Sequence, residues 1–345
     1  WIDRTNERTM PVTVVVGGQF GSEGKGKVAH YFAQEQSASA AVRVGGTNSG
    51  HTVITPEGGA LILRQLPTAA ILPEVYCVLP PGSYIDLEIL FKEIEKTGIE
   101  KERVIIDPLA MIIDPEDISR ESSQGLKETI GSTGSGTGAA VQRRISRKKD
   151  TRFARDYKEL RDFVQPTTQF MRCLLQMKKR IIIEGTQGFG LSLLHAKDYP
   201  YVTSRDTTAA GFVAEAGLSP LDVEDIVMVI RAFPIRVGGE SGPLPNEINW
   251  DIISEKANRR IIEYTSVSKE LRRVAEFDAK IIVQAININQ PTNYVLNHLD
   301  YMDNENQVKL IKDIEKIINK KVDFYGYGPD NLSPNFVLSK DINYA

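Results

Sequence analysis

Apolar residues follow two rhythms along this chain. Residues 12–16 (VTVVV) form a short β-branched run that ends at Gly17 and Gly18. Such a run reads as a buried strand entering a glycine-rich turn. A helix is expected next, over about residues 25–34. Leu87, Leu90, Phe91 and Ile94 then recur at helical spacing, and Gly98 supplies the stop. Residues 104–106, 181–183 and 227–230 are continuous apolar runs, the mark of strands covered on both faces. Near the C-terminus Leu310, Ile311, Ile314, Ile317 and Ile318 make one apolar helix face. Strands alternating with helices predict an α/β fold with a mainly parallel central sheet flanked by helices. No repeat, low-complexity tract or clear linker interrupts the pattern, so residues 10–345 read as one domain. Residues 1–9 are polar and charged and precede Met10; they read as a tag or a disordered extension.

Charge and cysteine content narrow the partners. A net charge of −3 gives no general basic field, so nucleic acid is not an expected partner. The basic run 143–149 is the one place where a local DNA contact competes with a solvated face. Two cysteines, Cys77 and Cys173, do not make a disulfide scaffold, which points to a reducing cytoplasm. No apolar run reaches the roughly 18 residues that span a bilayer. No signal peptide is read, and no membrane partner is expected.

The most informative local feature is residues 17–27, GGQFGSEGKGK, placed between the first strand and the first helix. At that position backbone N–H groups converge on an anion and the helix N-terminus adds positive potential. Residues 21–27 fit G-x-x-x-x-G-K, but Val28 follows where a Ser or Thr would offer Mg²⁺ a hydroxyl. Alone, the loop implies nucleotide or phosphate binding and nothing finer.

Residues 21–27 (GSEGKGK) and 47–52 (TNSGHT) together resemble the adenylosuccinate synthetase family, whose usual forms are GDEGKGK and NAGHT. Further segments follow in the family's order: 130–138 (IGSTGSGTG), 184–188 (EGTQG), 199–204 (YPYVTS), 236–238 (RVG), 297–300 (NHLD) and 328–330 (GPD). The resemblance spans residues 12–330. It implies a phosphate-loop type, adenylosuccinate-synthetase-like fold and a ligase reaction. A purine 6-oxo group leaves poorly until it is phosphorylated. The family transfers a phosphoryl group to that oxygen and then lets the amine of L-aspartate displace phosphate at carbon 6. Such a site works mainly by positioning and charge stabilisation.

Site roles follow from the resemblance. Position 22, Lys25, His51 and Gln187 are the implied catalytic positions, with His51 as acid or electrostatic stabiliser. The donor nucleotide would meet Gly21, Glu23, Gly24, Lys25, Gly26 and Lys27, then Gly50, His51, Thr52, Asn297, His298, Asp300, Gly328 and Pro329. The monophosphate would meet Ser22, Asn48, Ser132, Thr133, Gln187 and Thr203. In a homodimer Arg147 would complete the partner's monophosphate site, with Arg143 and Arg144 as rivals. L-Aspartate would meet Thr265, Ser266, Val267, Ser268 and Arg272, since hydroxyls and guanidinium forks suit two carboxylates. Where the family has four arginines in a row, this chain has Glu270-Leu271-Arg272-Arg273, and Lys269 offers a replacement charge. Mg²⁺ would use the Gly50 carbonyl and position 22. His30 and His195 are read as ordinary packed or surface residues.

Ser22 stands where the family carries a catalytic Asp. The replacement resembles a phage branch that acts on deoxyguanylate (dGMP), toward the succino-2-aminodeoxyadenylate precursor of diaminopurine DNA. Host cytoplasm would then be the location. Guanine adds an amino group at carbon 2, and a hydroxyl leaves it more room than a carboxylate does. The cost is a positioned base, commonly worth about 10²–10⁴-fold. ATP is the expected donor, with dATP or GTP open: the phage branch resembles an ATP or dATP user, yet Asp300 keeps the carboxylate that reads a guanine edge in the family. Two readings compete, an ordinary synthetase using inosinate and GTP, and a non-catalytic nucleotide-binding regulator.

Overall fold

The structure is a computed structural model that describes residues 11–265 and 269–337. Residues 1–9, read above as a tag or extension, lie outside the described residues.

Nine strands build the central sheet: β1 (Val12–Gly17), β2 (Ala40–Arg43), β3 (Tyr76–Leu79), β4 (Val104–Ile106), β5 (Ile181–Glu184), β6 (Val223–Arg231), β7 (Asn293–Asn297), β8 (Phe324–Tyr327) and β9 (Asn331–Ser333). Their spatial order is β9-β8-β7-β6-β1-β5-β2-β3-β4. Every neighbouring pair runs parallel except β8 with β9. The sheet is therefore mainly parallel and flanked by helices, as the alternating rhythm predicts.

Side chains alternate between its faces, and both faces are covered. Val14, Ile183, Met228 and Ile230 pack on Met171, Phe212, Ile282 and Ile314. Those four come from the helices Thr167–Gln176, Ala209–Ala216, Ala279–Asn289 and Asn304–Ile318. Val15, Ile182, Val227 and Val295 turn the other way onto Val28, Ala29 and Phe32 of helix α1 (Lys25–Glu35). Leu90, from the helix Leu87–Thr97, packs with Cys77, Leu79, Val104 and Ile106 at the far edge.

The apolar runs end where the chain turns polar, and those endings make the site. In sheet order, β7, β6, β1, β5 and β2 finish at Asn297, Arg231, Gly17, Glu184 and Arg43. All five have no more than 1% of their surface exposed, or lie in a fully buried run. Strand carboxyl ends of a parallel sheet are the usual edge for a ligand crevice. A hairpin of His51–Ile54 with Ala60–Leu63 carries His51 to the same edge. A small antiparallel sheet of Ile235–Arg236, Arg273–Ala275 and Glu247–Ile248 flanks it. Among the described residues no helix is long and apolar enough to cross a membrane.

Candidate active site

The glycine loop is shaped by one buried carboxylate. Glu23 Oε1 accepts from the backbone amides of Gln19 (3.1 Å) and Gly21 (2.8 Å), and Oε2 pairs with Lys25 Nζ at 2.6 Å. Expected among the donor's contacts, Glu23 instead turns inward and holds the loop together. Gly24 adopts φ +91°, and a Cβ there would lie 2.6 Å from Asn297 Nδ2, which donates to the Glu23 carbonyl at 2.7 Å. Glycine is required by both the backbone sign and the close approach. Lys27 Nζ donates to the carbonyls of Gly328 and Asn331, both at 3.1 Å. Burial pulls Lys27 down to about 8, against the raising pull of Asp300 and Asp330.

A second buried cluster sits under His51. Glu184 Oε1 accepts from His51 Nδ1 at 2.6 Å and from Arg43 Nη1 at 2.5 Å. Its other oxygen takes the Thr68 amide (2.8 Å) and hydroxyl (2.7 Å). Burial would push the Glu184 carboxyl up, but Arg43, His51 and Thr68 outweigh burial and hold it at about 2. Burial and the Arg43 cation hold His51 down at about 3, against the pull of Glu184. The imidazole is thus neutral at pH 7. Glu184 calls for a proton on Nδ1, while Arg43 Nη1, which stands as close to that nitrogen, calls for a lone pair there, so the tautomer is set by which of the two the ring answers.

Ser22 is exposed, with φ +56°, and is held from two sides. Arg231 Nη1 donates to its carbonyl at 2.9 Å, and Arg272 Nη1 donates to its hydroxyl. Arg272 also donates through Nε to the Tyr264 carbonyl at 3.0 Å.

These groups open into one cleft of about 1240 Å³. It gathers Gly21, Ser22, Gly24, Lys25, Gly26 and Lys27 with Asn48, Gly50, His51 and Thr52. It also gathers Ser132, Thr133, Gln187, Thr203, Thr265 and Arg272, and Asn297, His298, Asp300, Gly328 and Pro329. Segments from opposite ends of the chain therefore share one cavity large enough for two nucleotides and an amino acid. Ser266, Val267 and Ser268 lie outside the described residues. Asp300 is engaged by Arg259 Nη2 at 2.5 Å and by the Gly328 amide at 3.1 Å.

Arg147 does not line this cleft and is exposed. Its two rivals are committed within the chain. Arg143 pairs with Asp117 (2.7 Å) and donates to the Ile112 carbonyl (2.6 Å). Arg144 donates to the carbonyls of Pro81 (2.7 Å) and Leu109 (3.1 Å).

Among the described residues no three His, Cys, Asp or Glu side chains converge to hold a metal ion. Mg²⁺ is commonly held chiefly by substrate phosphates with few protein oxygens. Gly50 lines the cleft, and its carbonyl is of the chemistry that would serve such a role. The Ser22 hydroxyl fits it poorly here, because the Arg272 guanidinium already stands beside it.

The sequence profile of the adenylosuccinate synthetase family matches residues 14–155 and 150–333. The chain belongs to the adenylosuccinate synthetase family. It is 37% identical over 317 residues to the adenylosuccinate synthetase of Methanocaldococcus jannaschii, covering 89% of each chain. It is also 37% identical over 320 residues to that of a Pyrococcus strain, covering 91% of each. Among solved structures it is similar to the cyanophage S-2L succinoaminodeoxyadenylate synthetase bound to dGMP and dATP as an energy donor. That likeness has a TM-score of 0.81 at 30% identity, covering 93% of this chain and 94% of the other. The fully ligated Plasmodium falciparum adenylosuccinate synthetase has a TM-score of 0.84 at 23% identity, covering 93% and 99%, which shows the shared fold. Family membership makes the chain a carbon–nitrogen ligase that joins aspartate to a purine nucleotide with a nucleoside triphosphate.

Several residues central to the geometry had no assigned role in the sequence reading: Arg43, Thr68, Glu184, Arg231, Glu263 and Tyr301. Glu184 opens the EGTQG motif, so its position was visible although its partners were not.

Proposed function

We propose that the chain condenses L-aspartate with dGMP at purine carbon 6, using ATP, and so makes 2-amino-2'-deoxy-N6-succinyladenylate. The observation that carries this reading is the residue at position 22. A small neutral hydroxyl, already accepting from Arg272, faces the cleft where the family carries an acid. The similar cyanophage enzyme, bound to dGMP, supports the choice of purine.

The γ-phosphoryl group passes to the 6-oxygen as ring nitrogen 1 gives up its proton to water in the cleft, and the aspartate amine then attacks carbon 6, losing a proton as phosphate leaves. Lys27 and the loop amides hold the donor's phosphates, while Asn48, Gln187, Ser132, Thr133 and Thr203 orient the monophosphate. Arg272 offers its remaining donors to an aspartate carboxylate. The Gly50 carbonyl would hold Mg²⁺, and the ion would supply neutralisation of phosphate charge there. Arg147 completes the partner's site in a homodimer, and the setting is cytoplasmic.

A second reading, an ordinary synthetase using inosinate and GTP, is favoured by the archaeal relatives, which share more identity than the cyanophage enzyme does. One assay separates them. The chain is incubated with aspartate, Mg²⁺ and either ATP or GTP, with dGMP or inosinate offered in turn. Succinylated product from dGMP is expected; product from inosinate alone rejects the proposal. No product from either purine would revive the non-catalytic regulator.

A further inference from the structure

Ser22 owes its place to residues beyond the glycine loop. Arg231, at the end of β6, is fully buried and reaches the Ser22 carbonyl. Its other nitrogen donates to Glu263 Oε1 at 2.5 Å. Arg272, which holds the Ser22 hydroxyl, stands 3.7 Å from Glu263 Oε2. The same carboxylate accepts from the Tyr301 hydroxyl at 2.9 Å. Tyr301 ends the short helix Leu299–Tyr301 that also carries Asp300, and the His298 ring packs edge-on against it. One carboxylate thus meets both guanidiniums that hold Ser22 and a hydroxyl from the 297–301 segment.

We propose that Glu263 is a positioning residue: it fixes Arg231 and Arg272 on Ser22 and ties that pair to the 297–301 segment through Tyr301. Its work is geometric. Two arginines this close repel unless an anion lies between them. Without the anion Arg272 swings away, and Ser22, in a backbone region that serine rarely adopts, loses both tethers. Because Arg272 donates to the Ser22 oxygen, the serine's own O–H turns away from Arg272. Glu263 thereby narrows the directions in which that hydroxyl donates. The inference rests on the family's ligase reaction and not on the choice of purine.

The test is a double-mutant cycle of Glu263→Gln and Ser22→Ala in the full chain. It is assayed with whichever monophosphate, dGMP or inosinate, the unmodified protein turns over. Glu263→Gln should lower kcat by about 10²-fold, the usual cost of a misplaced reacting group. KM for the donor nucleotide should change less than the aspartate KM, which rises as Arg272 moves. Ser22→Ala should then cost clearly less in the Glu263→Gln background than in the unmodified one. Strict additivity of the two substitutions would overturn the proposal, as would a folded Glu263→Gln variant with kcat within about twofold of the original. Should Glu263→Gln fail to fold, Tyr301→Phe keeps both charges and cuts one tether. It should lower kcat and shrink the cost of Ser22→Ala, and unchanged values of both would likewise overturn it.

Discussion

Replacing Glu184 by Gln tests the buried cluster beneath His51. The shape is kept, but an NH₂ donor enters a place where every neighbour donates: His51, Arg43 and both polar groups of Thr68. Arg43 is 1% exposed and would keep its charge while losing the carboxylate in direct ion-pair contact with it, leaving the more distant Glu93 as counter-charge. Breaking one side of a buried ion pair costs about 3–5 kcal/mol. The titration of Glu184 gives a similar figure. Its carboxyl is held at about 2 against an ordinary 4.5. At about 1.4 kcal/mol per tenfold in proton affinity, that is worth about 3 kcal/mol. For a chain of this size the melting temperature should fall by on the order of 5–10 °C. The sign with pH is fixed: a carboxyl depressed in the folded state stabilises fully above about pH 4.5, and the contribution drains as pH falls toward 2. Thermal melts of both proteins from about pH 8 down to about pH 3.5 should show a gap that is constant above about pH 5 and narrows below it. A variant melting within about 2 °C of the original near neutral pH, the shift that about 1 kcal/mol is worth here, would refute the reasoning.

Three other outcomes follow from the same geometry. Ser22→Asp places a carboxylate against Arg272 in a backbone conformation that Asp tolerates; kcat/KM for dGMP should fall and use of inosinate should rise, and unchanged dGMP turnover would show that room beside position 22 is not the determinant. Lys27, at about 8, is charged below that pH and loses its charge as pH rises through it; donor affinity should weaken by about tenfold per pH unit above about 8, with proton uptake on binding near that pH, and a flat calorimetric profile from about pH 7 to about pH 10 would contradict it. Arg147→Ala should raise the monophosphate KM by about 10–10²-fold, the worth of a charge-assisted hydrogen bond; mixing it with inactive His51→Ala subunits should restore activity if sites are shared between protomers, and no recovery rejects that arrangement.

Much of the scaffold was legible because burial on both faces leaves uninterrupted apolar runs. Residues 104–106 are a strand with those bounds, and the run 181–183 extends by one residue to Glu184. Runs that are short or diluted escaped notice. β2 reads AAVR, with two alanines and an arginine, and is nonetheless wholly buried. β7 begins and ends in asparagine, and its apolar centre is only three residues long. The cleft-lining motifs were legible as local words. The partnerships were not, because Arg43 meets Glu184, and Arg231 meets Glu263, only once the strand order is known.

The charge arrangement explains what the ligands must bring. Glu23 answers Lys25, Glu184 answers Arg43, Glu263 answers Arg231, and Asp300 takes Arg259. Each pair is closed before any ligand arrives, so the site is pre-shaped rather than strongly cationic. The amides of Gln19 and Gly21, which a phosphate loop would turn toward an anion, are already spent on Glu23. A polyphosphate entering the cleft therefore meets only part of the positive potential that the GSEGKGK motif suggests. The remainder must come from Lys27, whose proton affinity rises as phosphate approaches, from the remaining loop amides, and from the cation that accompanies the nucleotide. A site balanced in this way should bind its donor less tightly before the cation and the amino acid arrive than after them. That suits a reaction in which a phosphorylated intermediate must not be left to water before the amino acid is in place.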